Sequence, residues 1–220
     1  MGFNRIIMHQ SARDRDLTAE QHLAEDWNLF RTVEASSADY LFRTWQTSRP
    51  VVVVGRHNDI ADHVIVDACE RDGIPVLRRF TGGGAVVVGP GCLNYAVAVS
   101  FVSRPAFADV AGSFRAILAR IAEAIDVAGL SVEGGSDLAL AGRKVSGNAQ
   151  RRGRRALLHH GTLLYDFDAA LVSRYLKEPW RQPDYRQRRP HGDFLGNLPV
   201  SGDTLRRCLM QVLRGSLTYA

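Results

Sequence analysis

Residues 131–165 constrain the fold more than any other part of the chain. They read as four short strands in succession, over 131–133, 137–140, 144–152 and 156–165, with turns at Ala141-Gly142 and Gly153. Short strands joined this tightly build antiparallel hairpins, because a parallel neighbour needs a long crossover. Helices and strands mix through the remainder. The pattern predicts a helix over 18–33, where Thr18 and Gln21 have capping-box spacing and Leu23, Trp27, Phe30 and Val33 recur at helical period. Strands follow at 40–45 and 51–54, then a short helix over 66–71 that stops at Gly73, then a strand over 75–79. Leu93, Tyr95, Val97, Val99 and Phe101 alternate with smaller or polar residues, which predicts a half-buried strand. Val110, Phe114, Ile117, Ile121 and Ile125 share one face of a helix over 107–128. Helices over 168–176 and 203–213 flank an irregular Pro- and Arg-rich stretch, 178–199. The mixed order predicts an α+β fold with mixed, largely antiparallel sheets packed with helices, rather than a doubly wound parallel sheet. A core over 1–176 carries an extension over 177–220 that packs on it.

Composition narrows the class. The chain is 45% hydrophobic and 23% charged, enough for a real core in a soluble globular protein. Its longest apolar run, 51–54, is too short to span a bilayer, and the start has no apolar signal core, so a cytoplasmic protein is expected. Three cysteines, an odd number without metal spacing, suit a reducing compartment. The net charge of +5 suits an acidic partner. Outside the arginine runs at 151–155 and 181–189 the sequence shows no basic residues interleaved with aromatics, so neither nucleic acid nor membrane is expected as that partner.

Two segments carry the chemistry. Arg78-Arg79-Phe80-Thr81 runs into Gly82, Gly83 and Gly84, then Ala85, Val86 and Val87. No Lys-Ser/Thr follows the glycines, so this is no Walker loop, and no helix follows, so it is no dinucleotide turn. It reads either as a phosphate nest of backbone amides or as a plain glycine hairpin. The second segment is Gly142-Arg143-Lys144-Val145-Ser146-Gly147-Asn148-Ala149-Gln150. Lys144 is one of only two lysines in an arginine-rich chain. It reads as a surface lysine or as a compact ammonium that follows a moving phosphate oxygen where a planar guanidinium cannot. Asp137 lies seven residues earlier, across the Ala141-Gly142 turn. A hairpin there brings both to one place, either for Mg2+ and phosphate or as a salt bridge. His159 and His160 point to opposite faces of one strand, so they are no metal pair, while His160 and Thr162 share a face. Cys92, near the glycine turn, reads as a buried small hydrophobe or as a reactive thiol.

In this order, RRFTGGGAV, GRKVSGNAQ and HHGTLL resemble the lipoate–protein ligase A family within the biotin and lipoate ligase fold. The likeness covers roughly residues 15–176. It implies activation of lipoate by ATP to lipoyl-AMP, release of pyrophosphate, and transfer to a lysine of an acceptor. It implies that Arg79, Gly83, Gly84, Ala85, Val86, Val87 and Asn94 hold the nucleotide. By the same resemblance Gly82, Ser146, Gly147, His160 and Thr162 lie at the lipoate site, and Asp137 sits near Mg2+. Lys144, the catalytic residue, bridges the acid's carboxylate and the α-phosphate. The implied partners are lipoate or octanoate, an acidic lipoyl-domain acceptor, and an accessory subunit in place of the ligase's C-terminal domain, which this sequence does not show. The chain also has Val88-Gly89 where many such ligases have His-Asp. The competing reading is an octanoyl or lipoyl transferase that needs no ATP and draws on a carrier protein. Cys92 is the only thiol near the motifs to serve it. A non-enzymatic basic module is the third reading, and it leaves Lys144 unused.

Overall fold

The hairpins expected over 131–165 form, and they extend a larger sheet. The computed structural model describes residues 6–8, 17–36 and 38–214. Its elements in chain order are β1 (Ile6–Met8), α1 (Ala19–Ala35), β2 (Tyr40–Trp45), β3 (Val51–Val54), α2 (Ile60–His63), α3 (Val66–Asp72), β4 (Val76–Arg78), β5 (Ala85–Val88) and β6 (Cys92–Ser100). They continue with α4 (Val110–Ile125), β7 (Leu130–Glu133), β8 (Asp137–Leu140), β9 (Arg143–Arg152), β10 (Ala156–Leu164), α5 (Ala170–Tyr175), α6 (His191–Phe194) and α7 (Gly202–Arg214). A seven-stranded sheet runs β1-β2-β6-β10-β9-β8-β7, and a three-stranded sheet runs β4-β3-β5. The large sheet is antiparallel except where β1 meets β2, and the small sheet is mixed. This is the expected α+β architecture.

Local chemistry sets the boundaries. Thr18 caps α1 through a capping box with Gln21. Gly73, at φ 63°, ends α3 in the left-handed conformation that glycine adopts without penalty. Asp109 caps α4, so the helix begins at Val110, after a short 3-10 turn over Pro105–Ala108. That shortens the expected 107–128 helix and leaves Val110 51% exposed in its first turn instead of on the buried face.

β6 is buried along its whole length, which corrects the half-buried expectation. Its large residues Leu93, Tyr95, Val97 and Val99 pack with Ile117, Leu118 and Ile121 of α4 and Leu205 and Leu209 of α7. Its small residues Ala96 and Ala98 meet Leu29, Phe30 and Val33 of α1. Alternation between large and small therefore marks two helical layers at different distances, not a core face and a water face. A third cluster joins β3 and β5 to α3 and α5.

His159 sits inside the first layer. It is fully buried, with Nε2 3.2 Å from the Tyr95 hydroxyl and Nδ1 3.1 Å from Gln150 Nε2. Burial, with a smaller contribution from His160, pushes its pKa down from 6.5 to about 3. Between these values the unfolded chain binds a proton that the folded chain does not, so stability falls as pH drops through the window. From pH 6.5 to 5 the loss is on the order of 2 kcal/mol, at about 1.4 kcal/mol per pH unit. Denaturant titrations at the two pH values should show this slope in the wild type. His159→Gln should lose about one proton's share of it.

Candidate functional site

The β8–β9 hairpin builds the charged end of the site. Ala141 and Gly142 both have positive φ, 49° and 71°, as a two-residue primed turn requires. Asp137 pairs with Gly147 and Leu138 with Ser146, but Ala139 pairs with Lys144, so the register shifts by one residue. Side chains alternate along a strand, and the bulge at Val145 thus brings Lys144 onto the face that carries Asp137. Lys144 Nζ lies 2.9 Å from Asp137 Oδ1. The second carboxylate oxygen accepts from the Tyr185 hydroxyl at 2.7 Å. That contact and burial push the tyrosine's pKa up, burial being the larger cause. A Cβ at Gly147 would stand 2.9 Å from Lys144 Cε and 3.0 Å from Nζ, so glycine leaves the lysine its path.

The glycine loop is not a hairpin. Its flanking strands β4 and β5 pair with opposite sides of β3, and residues 79–84 cross over the end of β3. Arg79, only 7% exposed, holds the crossing. Its Nε donates to Thr81 Oγ1 (3.0 Å) and Gly82 O (3.1 Å), Nη2 to Gly82 O (2.6 Å) and Gly84 O (2.9 Å), and Nη1 to Val53 O (3.2 Å). Burial lowers its pKa to about 10, so it stays charged at neutral pH. Asn58 Nδ2 donates to Gly83 O at 2.7 Å, and Gly55 N to Gly84 O at 3.1 Å. All three glycine carbonyls are drawn inward, and the three glycine amides make no hydrogen bond among the described residues. Outward amides are what an anion nest needs. The nest comes from the loop, and Arg79 shapes it through Nε and Nη2, while Nη1 donates only to Val53 O.

Between these ends lies a cavity of about 590 Å³. Gly83, Gly84, Ala85, Val86 and Val87 line it together with Asn94, Asp137, Lys144, Ser146, Gly147, His160 and Thr162. These expected site residues, from two stretches 43 positions apart in sequence at their nearest, are brought to one place. Arg79 lines it as well, whereas Gly82 is not on the wall. The Ser146 hydroxyl is buried and accepts from Asn148 Nδ2 at 3.0 Å. Leu23, Trp45, Val53, Phe167, Val172 and Leu176 give the cavity an apolar end.

Sequence reasoning missed one wall. Trp180, Arg181, Pro183, Phe194 and Leu195, in the stretch read as an extension, close the cavity beside Lys144. Gly196 N donates to Lys144 O at 2.9 Å, and Arg143 Nε to Leu195 O at 2.7 Å. The site is thus built from both sides of position 176. Asp26 was missed as well. It reads as a helix-surface acid in sequence, yet it is buried on the cavity wall. Nothing at single-sequence level marks either.

The arginine runs also look different in three dimensions. Arg186 is buried against Glu178, and Arg189 donates to the carbonyls of Gly142, Tyr185 and Arg186. Arg152 binds the Phe107 and Ala108 carbonyls. Glu34 caps the backbone amides of Arg154 and Arg155. Of the expected docking charges, Arg154, Arg155, Arg181 and Arg188 remain exposed. Cys92 is fully buried, and burial raises its pKa to about 12, which fits a small core residue rather than a nucleophile.

Comparison with known proteins matches residues 18–198 to the family described as lipoyl protein ligase A/B catalytic domain. Lipoate-protein ligase LplJ of Bacillus subtilis is 31% identical over 121 residues, 54% of this chain and 35% of the relative. The human mitochondrial lipoyl amidotransferase is 31% identical over 180 residues, 81% of this chain and 45% of the relative. The chain spans under half the length of these relatives. Among solved structures, a bi-partite lipoate protein ligase from Thermoplasma acidophilum, described with its E2 lipoyl domain, superimposes with a TM-score of 0.74 at 23% identity. That match covers 97% of this chain and 83% of the other.

Two glycines separate folding from binding. A Cβ on Gly55 would lie 2.0 Å from the Gly83 carbonyl oxygen, so Gly55→Ala should destabilise by about 1–3 kcal/mol. Gly84 has open space at its Cβ position, so Gly84→Ala should stay within about 0.5 kcal/mol of wild type. Denaturant melts of the two variants check the contrast.

Proposed function

Since the chain belongs to the lipoyl protein ligase A/B catalytic-domain family, we propose that it activates lipoate with ATP and passes the lipoyl group to a lysine of an acceptor lipoyl-domain protein. One observation carries this reading. A single cavity joins an apolar slot, a set of outward glycine amides and a lysine ammonium held by an aspartate.

In the first step a carboxylate oxygen of the acid attacks the α-phosphorus. A new O–P bond forms, the bond to the β-phosphate breaks, and pyrophosphate leaves with the electron pair. Two anions must approach each other, and Lys144 lies where its ammonium would contact both. The glycine amides take phosphate oxygens, and such donors are fixed before reaction, so they cost no reorganisation. Asp137 orients Lys144 through the 2.9 Å pair. Among the described residues no three His, Cys, Asp or Glu side chains form a metal cage. One carboxylate beside a nucleotide site is nevertheless a donor set that Mg2+ accepts, because phosphates and water complete its shell. Asp137 would hold Mg2+ there, and the ion would neutralise phosphate charge.

In the second step the acceptor's neutral amine attacks the acyl carbon, an amide forms, the C–O bond to AMP breaks and the amine loses a proton. The apolar wall and the 177–195 segment keep water from the mixed anhydride. The bi-partite T. acidophilum enzyme supports a second polypeptide that assists transfer, and its lipoyl domain supports the acceptor class. Octanoate fits the same apolar slot. The cytoplasm is the expected compartment. No helix among the described residues is long and apolar enough to cross a membrane.

The relation to the human amidotransferase favours a second reading, ATP-independent acyl transfer from a carrier protein. Cys92 does not serve it as a thioester site, because it is buried and its thiol stays protonated at neutral pH.

Lipoate-dependent ATP–pyrophosphate exchange decides between the two readings, and wild type should show it. Lys144→Ala should lower it roughly a hundredfold or more, and Lys144→Arg should not restore it. Cys92→Ser should keep it. Absence of exchange with any acid, or a dead Cys92→Ser beside an active Lys144→Ala, overturns the ligase reading. In thermal melts, lipoate plus Mg-ATP should stabilise by roughly 3–4 kcal/mol at 100 to 1,000 times the dissociation constant, more than either alone. Transfer from preformed lipoyl-AMP to an acidic lipoyl domain should slow with added salt and quicken with a partner subunit. Fast transfer by this chain alone would refute the need for a partner.

A further inference from the structure

A buried polar chain connects α1 to the glycine loop, and no step above uses it. Asp26 pairs with Arg43 Nη1 at 2.9 Å and accepts from Trp45 Nε1 at 3.2 and 3.3 Å. Its Oδ2 lies 3.4 Å from His160 Nδ1. His160 Nε2 lies 2.7 Å from Thr81 Oγ1, and Arg79 Nε donates to that same oxygen at 3.0 Å.

Hydrogen-bond chemistry gives this chain one direction. A carboxylate only accepts and a guanidinium only donates. His160 therefore donates from Nδ1 to Asp26, which leaves Nε2 bare in the neutral ring. The Thr81 hydroxyl donates to Nε2, and its oxygen accepts from Arg79. Every donor in the row then meets an acceptor. With a proton on Nε2 instead, the Thr81 hydrogen faces a ring N–H on one side and a guanidinium on the other.

An acid, an imidazole and a hydroxyl in a row also form a nucleophile triad. Here the hydroxyl is no nucleophile. Thr81 is fully buried and absent from the cavity wall, whereas His160 is on it. We propose that the Asp26–His160–Thr81 chain fixes His160 as its Nδ1–H tautomer and pins the glycine loop against β10, which makes Asp26 and Thr81 positioning residues for the acid and nucleotide site. Both ring nitrogens are then spent inside the protein. His160 offers the cavity its carbon edge and ring faces, an apolar surface for the acid's chain beside Lys144. It is neither a hydrogen-bond donor to the acid nor a base. The effect on catalysis rests on the activation reading above, but the tautomer does not.

The test uses the whole chain without ligand. Nitrogen-15 NMR of the histidine rings should find the His160 proton on Nδ1, and Thr81→Ser should keep it there. In Asp26→Asn, Arg43 holds the amide oxygen and the amide NH2 faces His160, so the proton should move to Nε2. A wild-type proton on Nε2 overturns the proposal. In pyrophosphate exchange, Thr81→Val should lose roughly tenfold, mainly through KM for acid and ATP, and Thr81→Ser should recover to within about twofold. Equal activity of Thr81→Val and wild type also overturns it. If Asp26→Asn fails to fold, the Thr81 pair and the wild-type tautomer decide alone. If wild type activates no acid, the activation reading falls and the tautomer still decides the chain.

Discussion

A buried guanidinium is costly unless oxygen atoms surround it, and the site depends on how Arg79 meets that demand. It collects the carbonyls of Val53, Gly82 and Gly84 and the Thr81 hydroxyl, while Asn58 holds the Gly83 carbonyl, so all three glycine carbonyls are taken up within the protein. The same contacts tie the loop to the end of β3, while Gly55 lets the two backbones approach within reach of a hydrogen bond. A basic residue beside three glycines thus shapes the loop from the cavity wall. It converts a flexible segment into a fixed set of dipoles, which is the form in which backbone amides are useful for charge that develops during a reaction.

The opposite wall uses a different device. Lys144 reaches Asp137 only because the hairpin carries one extra residue at Val145, and a regular ladder would have turned the lysine to the other face. Gly147 then leaves room for the side chain, and Tyr185 closes the carboxylate from the far side. The two walls meet across β10, where His160 touches the loop on one edge and α1 on the other. Strands carry Asp137 and Lys144, α1 carries Asp26, and the crossing after β4 carries Arg79.

Much of this was legible in the sequence. Thr18 with Gln21, Gly73, and the Ala141-Gly142 turn mark ends that depend on one or two residues, and local physics decides them. Glycines beside a basic pair, and a rare lysine among arginines, left an anion site open beside a plain glycine hairpin and a surface lysine. The strand β6 was misread, since large-and-small alternation has the same period as buried-and-exposed alternation. The arginine runs were misread for a related reason. Sequence gives the count of charges, but carbonyls from distant segments decide which of them stay free.

What the sequence alone determined was most of the longer elements and their antiparallel pairing over 131–165, because these follow from spacing, turn residues and side-chain type. What only the tertiary structure decided was where distant groups meet. The wall from 177–195 and the buried Asp26–His160–Thr81 chain join segments tens to more than a hundred residues apart. Such contacts carry no local signal. Each residue in them is compatible with an ordinary surface or core role until the partner that holds it is in place.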